Sequence, residues 1–145
     1  MNKIYFQSRS FPSYRFLSNF YEAVIKDKDG IEYLSTEHYY HCQKAVDEND
    51  FIKVMVSSTP KAAKENGKTI AIRKDWDSVK DNIMLTALRL KFTQHQDLKI
   101  KLLATGDDEL IEWAPWGDTY WGVNKKYEGQ NKLGKMLMQV REELK

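Results

Sequence analysis

With 145 residues, 41% of them hydrophobic and 30% charged, the chain has the composition of one soluble globular domain, 1–145, long enough to bury a sizeable core. A net charge of +2, from 23 basic and 21 acidic residues, excludes the global positive field of a dedicated nucleic-acid binder. No apolar run approaches the ~20 residues that span a bilayer, and the opening Met1-Asn2-Lys3-Ile4-Tyr5-Phe6 lacks the apolar core of a secretory signal. A cytoplasmic location is therefore expected, and a single cysteine, Cys42, agrees with a reducing compartment.

The first third mixes short extended segments with turns. Phe16-Leu17-Ser18-Asn19-Phe20-Tyr21 sets two small polar residues between aromatic anchors, a loop suited to bonding hydroxyls or phosphate or to a plain Asn turn. Ala23-Val24-Ile25 and Ile31-Glu32-Tyr33-Leu34 flank a segment ending in Asp29-Gly30, which is a hairpin signal. A helix then opens in Ser35-Thr36-Glu37-His38-Tyr39-Tyr40-His41-Cys42-Gln43-Lys44-Ala45, with Thr36 as the expected N-cap. At 100° per residue Glu37, His41 and Lys44 lie near one face, with roughly 10 Å between the Glu37 and Lys44 backbones. That exceeds the three- or four-residue spacing of stabilising helix pairs, so the two side chains are better placed to converge on a ligand. The plainer alternative is a first-turn carboxylate favoured by the helix dipole and a solvated lysine.

Phe51 to Val56 reads as a short helix; Thr59-Pro60 supplies an N-cap and first-position proline for the next, with Gly67 as its stop. The interval Lys61 to Lys74, holding Lys61, Lys64, Lys68, Arg73 and Lys74, is the best place for a local basic patch, against the alternative of a solvated helix and loop. Val79, Ile83, Met84, Ala87, Leu88 and Leu90 give a helical apolar face ending near Phe92, and Asp97 to Ala104 forms another helix. From Leu110 to Val123 the chain is aromatic and turn-rich, Pro115 and Gly117 excluding a continuous helix. Leu133, Met136, Leu137 and Val140 mark a last helix up to Arg141. The sum is an α+β fold, a single domain that is predominantly helical with one or two small antiparallel strand pairs.

Several chemistries find no support. His38, His41 and Cys42 lack a second ligand cluster at zinc spacing, and Glu-His-x-x-His is not the metalloprotease order, so no metal or other cofactor is expected. Neither a glycine-rich phosphate loop nor a nucleophile elbow occurs. What remains is Glu37, Glu112 and Asp118 with Trp113, Trp116 and Trp121. Carboxylates at an anomeric centre and indoles that stack on bases and sugars compose a glycoside or nucleoside pocket, unless the tryptophans are simply core.

Taken in order, Phe16-Leu17-Ser18-Asn19-Phe20-Tyr21, Ser35-Thr36-Glu37-His38-Tyr39-Tyr40 with Gln43-Lys44-Ala45, and Arg73-Lys74-Asp75-Trp76 resemble the NADAR, or YbiA-like, family. So do Ala87-Leu88-Arg89-Leu90-Lys91-Phe92, Leu103-Ala104-Thr105-Gly106, Leu110-Ile111-Glu112, Asp118-Thr119-Tyr120-Trp121-Gly122 and the run from Gly129 to Met138. The resemblance implies an N-glycosidase acting on ribosyl–nitrogen bonds without a metal. Its substrate would be ADP-ribosylated guanine, as nucleotide or in DNA, or a phosphoribosylamino-pyrimidine intermediate of riboflavin synthesis. The residues that match the family signature are Ser18, Asn19, Glu37, Lys44, Trp76, Glu112, Asp118, Trp121 and Asn131. Trp113-Ala114-Pro115-Trp116-Gly117, more aromatic and stiffer than the family pattern, departs from it.

Cleaving such a bond leaves positive character on the ribose, which a carboxylate stabilises while an acid assists the departing nitrogen. Glu37 and Asp118 are the candidates. Lys44 offers a second route through a Schiff base with ring-opened ribose. Phe20, Trp116 and Trp121 would stack on base or sugar, and Ser18, Asn19 and basic residues would hold phosphate. Two rivals keep the same residues: a module that holds ADP-ribose or NAD without cleaving it, and a single-strand nucleic-acid binder with an aromatic platform.

Overall fold

The computed structural model describes residues 2–145. In chain order the elements are β1 (Lys3–Phe6), a 3-10 helix (Pro12–Leu17), β2 (Ile25–Lys26), β3 (Glu32–Tyr33), α1 (Thr36–Cys42), α2 (Glu48–Met55), α3 (Pro60–Gly67), α4 (Trp76–Gln94), α5 (Gln96–Ala104), β4 (Glu109–Glu112) and α6 (Lys132–Glu143). The fold is α+β and mainly helical. Among the described residues, no helix is long and apolar enough to cross a membrane. Backbone contacts gather into two compact units, one made of residues 2–18 and 95–145, the other of Asn19–Gln94.

In the unit Asn19–Gln94, β2 and β3 pair antiparallel in the register Ile25↔Tyr33 and Lys26↔Glu32. Their turn is organised by Asp27, whose carboxylate accepts from the amides of Asp29 at 2.9 Å and Ile31 at 3.0 Å, with Gly30 at φ 83°. Helix α2 begins three residues before the predicted Phe51, because Asp47 caps it by accepting from the Asp50 amide at 2.8 Å. Helix α3 has the expected bounds, with Thr59 accepting from the Ala62 amide at 3.0 Å and Pro60 in its first turn. Helices α1, α2, α3 and α4 pack around a core that includes Ile25, Tyr33, Tyr39, Cys42, Val54 and Ala87.

In the other unit β1 pairs with β4, from Lys3↔Glu109 to Phe6↔Glu112. This pair is parallel, where only antiparallel pairs were expected. A hairpin signal lies between neighbouring segments, whereas parallel strands require a long connection, and here their partners stand about a hundred residues apart. Glu109–Glu112 also extends into the segment read as aromatic turns. Helix α6 packs on β4, and Gly134 lets the helix approach so closely that any side chain there would strike the Leu110 carbonyl. Asn131, at φ 50°, latches this junction: its Oδ1 accepts from the Glu112 amide at 3.0 Å and its Nδ2 donates to the Leu110 carbonyl at 2.9 Å.

Candidate active site

The N-cap of α1 lies one residue earlier than expected. Ser35, in extended backbone, is the N-cap: its Oγ accepts from the His38 amide at 3.1 Å. Thr36 is already helical, and its hydroxyl donates instead to the Asn19 side-chain oxygen at 2.7 Å. The Asn19 carbonyl in turn accepts from the Glu37 amide at 3.3 Å, so Asn19 braces the first turn of α1. The Asn19 amide group reaches the Met84 sulfur at 3.3 Å, which ties this brace to α4.

Glu37 is buried, and its Oε2 lies 3.2 Å from Nε2 of His41 one turn later. The Nδ1 atom of that imidazole is buried without a hydrogen-bond partner. It faces Gly67 of α3 so closely that a Cβ there would lie 2.8 Å away. The other two reactive residues of α1 have structural roles. His38 places one ring nitrogen 2.7 Å from Ser35 Oγ and the other 2.9 Å from the Ser57 carbonyl. Cys42 is fully buried, and burial pushes its thiol up to about 12, far from a nucleophilic thiolate at neutral pH.

Lys44 lies two residues beyond the end of α1, in a turn in which its amide donates to the His41 carbonyl at 3.3 Å. Its own carbonyl accepts from the Arg73 amide at 2.9 Å, next to the Ala45↔Ile72 bridge. From this fixed backbone its Nζ sits 5.6 Å from the Tyr40 ring centre and 5.7 Å from that of Trp76. Those two rings meet edge to face at 5.0 Å. Burial holds the Lys44 amine below the ordinary lysine value; Glu37 opposes that shift, and the charges of Lys64, Lys68 and Lys80 reinforce it. Asn19, Glu37, Lys44 and the buried Trp76 are thus brought together. Phe20, half-buried, belongs to the same unit, with the Lys64 Nζ 5.8 Å from its ring centre.

The remaining predicted residues lie in the other unit. Ser18 is buried at the end of the 3-10 helix, its amide donating to the Arg15 carbonyl at 2.9 Å. Asp118 closes a tight turn, with Oδ1 accepting from the amides of Tyr120 at 3.1 Å and Trp121 at 3.0 Å. Trp121 is half-buried edge to face with Tyr120, whereas Trp116 is 56% exposed. Glu112 ends β4 under the Asn131 latch, so both polar ends of the Asn131 side chain are engaged with backbone. A cavity of about 280 Å³ is lined by Lys3, Tyr5, Glu109, Tyr127 and Lys135 among others; of the predicted residues it includes Asn131 alone.

Three residues near Lys44 were not assigned a role from the sequence: Tyr40, His41 and Lys80. The Glu37–His41 contact carries a readable i, i+4 signal. The same spacing joins Tyr40 to Lys44, whereas Lys80 carries no such signal, because its relation to Lys44 depends on how α1 and α4 pack.

A buried carboxylate held by an imidazole, and a partly desolvated amine on aromatic faces, are groups that can donate a proton, accept one, and add to a carbonyl carbon. Comparison with known proteins gives the family of the chain. Residues 5–145 match the NADAR domain, and the chain belongs to that family. It is similar to the N-glycosidase YbiA of Escherichia coli (strain K12), with 40% identity over 129 residues, covering 88% of this chain and 79% of that one. It is 39% identical over 137 residues to the N-glycosidase Npun_R5314 of Nostoc punctiforme, covering 91% and 86%. A riboflavin biosynthesis protein of Vibrio vulnificus is 38% identical over 131 residues, covering 89% of this chain but 35% of that one. The NMR structure of E. coli YbiA superposes with a TM-score of 0.87 at 39% identity, covering 99% of this chain and 84% of that one. The protein is a hydrolase of N-glycosyl bonds.

Proposed function

We propose that this N-glycosidase removes ADP-ribose from ADP-ribosylated guanine, as nucleotide or in nucleic acid, within the cytoplasm, and that residues 1–145 act as one catalytic domain. The observation that carries the reading is Lys44: an amine depressed by burial, resting on Tyr40 and Trp76, in the same small unit as the Glu37–His41 pair.

In the route this favours, Glu37 protonates the ribose ring oxygen as the ring opens, and the neutral Lys44 amine adds to C1. The C1–N bond to guanine then breaks, with the departing nitrogen taking a proton, and leaves a Schiff base between C1 and Nζ. Water adds to that bond and releases the ribose aldehyde and free lysine. Asp118 is the candidate for the direct route, in which a carboxylate stabilises the ribosyl cation while water attacks. In the unit Asn19–Gln94, Trp76 and Phe20 are proposed to stack on base or sugar, with Asn19 shaping the surface beside them; in the other unit Trp116 and Trp121 are the proposed stacking residues, with Ser18, Glu112 and Asn131 as proposed substrate-binding residues.

Incubation with guanine-ADP-ribosylated DNA and cyanoborohydride tests this reading. ADP-ribose release together with a reduced adduct on Lys44, seen by peptide mass spectrometry, is expected; release without an adduct supports the direct route. A second reading, hydrolysis of a phosphoribosylamino-pyrimidine, is favoured by the similarity to a protein named for riboflavin biosynthesis. Turnover of that metabolite with none of the modified DNA would establish it in place of the first. Tight ADP-ribose binding with no product from either substrate would make the protein a binding module.

A further inference from the structure

Alternation along the strands gives the β1–β4 pair two unlike faces. Ile4, Phe6 and Leu110 share one of them and are buried, at 7% exposure or less. Lys3, Tyr5 and Glu109 share the other, with Lys3 directly opposite Glu109 in the register. Parallel strands are ordinarily covered on both faces. Here the second face borders the cavity of about 280 Å³, which Lys3, Tyr5 and Glu109 line together with Tyr127 and Lys135. Its lining residues all belong to one unit, whereas Glu37 and Lys44 belong to the other.

The cavity's wall is built at a conformational cost. Tyr127 has φ 61°, a left-handed backbone that bulky side chains rarely adopt and that gathers at functional sites. Asn124 holds it there: its Oδ1 accepts from the amides of Lys126 at 2.9 Å and Glu128 at 3.1 Å, and its carbonyl accepts from the Tyr127 amide at 2.9 Å. The phenol so presented is 62% exposed and meets the Tyr5 ring edge to face at 5.5 Å. The charged groups at the cavity are equally uncommitted. Among the described residues, the side chains of Lys3, Glu109 and Lys135 make no hydrogen bond or ion pair, although Lys3 and Glu109 are strand partners.

A ligand that engages all of these carries a flat ring for the phenol, an anion for the two ammonium groups and an N–H donor for the carboxylate. A nucleotide with an amino-bearing base combines the three, and the volume, close to the roughly 300 Å³ at which small-molecule pockets begin, admits one such unit. We propose that this face of the β1–β4 pair is a nucleotide-binding site: the base stacks on Tyr127, its amine donates to Glu109, and the phosphate is held by Lys3 and Lys135. The site does not depend on the proposed reaction. Its occupant is a free nucleotide or one nucleotide of a single strand, which share this chemistry.

Amide chemical shifts of the full-length 15N-labelled chain, titrated with adenosine 5′-monophosphate, test this. The amides of Tyr5, Glu109, Tyr127 and Gln130 should move. Adenosine, without the phosphate, and purine riboside 5′-monophosphate, without the amine, should each bind at least fivefold more weakly. Lys3→Gln/Lys135→Gln should bring the nucleotide down to the affinity of adenosine and flatten its salt dependence. Tyr127→Asn, which suits the left-handed backbone and removes the ring, should weaken binding at least fivefold. An eight-nucleotide single strand that moves the same amides with at least tenfold higher affinity identifies a strand as the source; equal or weaker binding identifies the free nucleotide. Shifts confined to Glu37, Lys44 and Trp76, or none at millimolar nucleotide, overturn the site. So does unchanged affinity in variants whose spectra show the wild-type fold. Turnover of Glu37→Gln and Lys44→Ala bears on the reacting centre alone.

Discussion

His41 holds Glu37 across one turn of α1 at 3.2 Å, and the opposite edge of its ring lies against Gly67, where the backbone leaves no room for a side chain. The carboxylate's orientation is therefore set by a helix two elements away. We expect Glu37→Gln to lower kcat by about 10²–10⁴, the range of a lost acid–base group. His41→Ala should lower kcat about tenfold with little change in KM, since it removes the support and leaves the carboxylate. Gly67→Ala must displace the imidazole and should destabilise the fold by about 1–3 kcal/mol, as overpacking does. Normal kcat in a folded His41→Ala protein would show that the carboxylate needs no such support.

The lowered Lys44 value predicts a pH profile. A neutral amine is needed for addition to C1, and its fraction grows as pH rises. In a Glu37→Gln background, which takes the acid out of the profile, residual turnover by the Schiff-base route should therefore climb with pH and level off below the ~10.4 of an ordinary lysine. Lys44→Arg, which keeps a permanent charge, should lose at least a hundredfold in kcat. Initial rates across pH, with circular dichroism to confirm the fold, measure both; an active Lys44→Arg protein would exclude the covalent route.

Lys91 offers a prediction about stability alone. It is fully buried in α4, its Nζ 5.2 Å from the Phe92 ring centre and 5.6 Å from that of Tyr21, and burial lowers it to about 7. Between that value and the ~10.4 of the unfolded chain, the unfolded state binds more protons, so this group makes stability rise with pH, by at most ~1.4 kcal/mol per unit. Above the unfolded value its penalty vanishes, and below about 7 the penalty is constant. Lys91→Met should flatten the slope and add most stability near pH 6. Denaturant midpoints from pH 6 to 10 test this, parallel curves for the two proteins being the contrary result.

Asn131 combines a left-handed backbone with two bonds to β4. Asn131→Ala leaves a buried donor and acceptor without their partner and should cost about 2–4 kcal/mol, at ~1–3 per orphaned group with partial relaxation. Asn131→Gly relieves the positive φ but not the lost bonds, so it should remain clearly below wild type in Tm. A glycine variant as stable as wild type would mean the latch contributes nothing.

Where the sequence was readable, the signals were local. Thr59-Pro60 and Gly67 bound α3 as expected because cap, first-turn proline and terminus act within one turn. The α1 cap was misplaced by one residue because Ser35 and Thr36 are both competent, and the choice is made by Asn19, which engages Thr36 from outside the helix. The β1–β4 pairing had no local mark, since Lys3-Ile4-Tyr5-Phe6 is short and its partner far along the chain. At the candidate site, the spacing of Glu37, His41 and Lys44 was legible, but Lys44 lies beyond the helix end and its aromatic surroundings come from packing. Trp76 meets it through a tertiary contact that no periodicity records, whereas Tyr40 stands four residues before it.

The separation of β1 from β4 has a consequence during synthesis. As the chain emerges from the ribosome, Asn19–Gln94 is complete about fifteen residues before β4, the strand that pairs with β1, begins at Glu109. The contacts of the contiguous unit are all available by then, whereas Lys3–Phe6 must wait for its strand partner through about a hundred further residues of translation. The residues of the proposed acid–amine pair are thus all synthesised before β4 is, and the closing of the parallel strands is the later event in the birth of this enzyme.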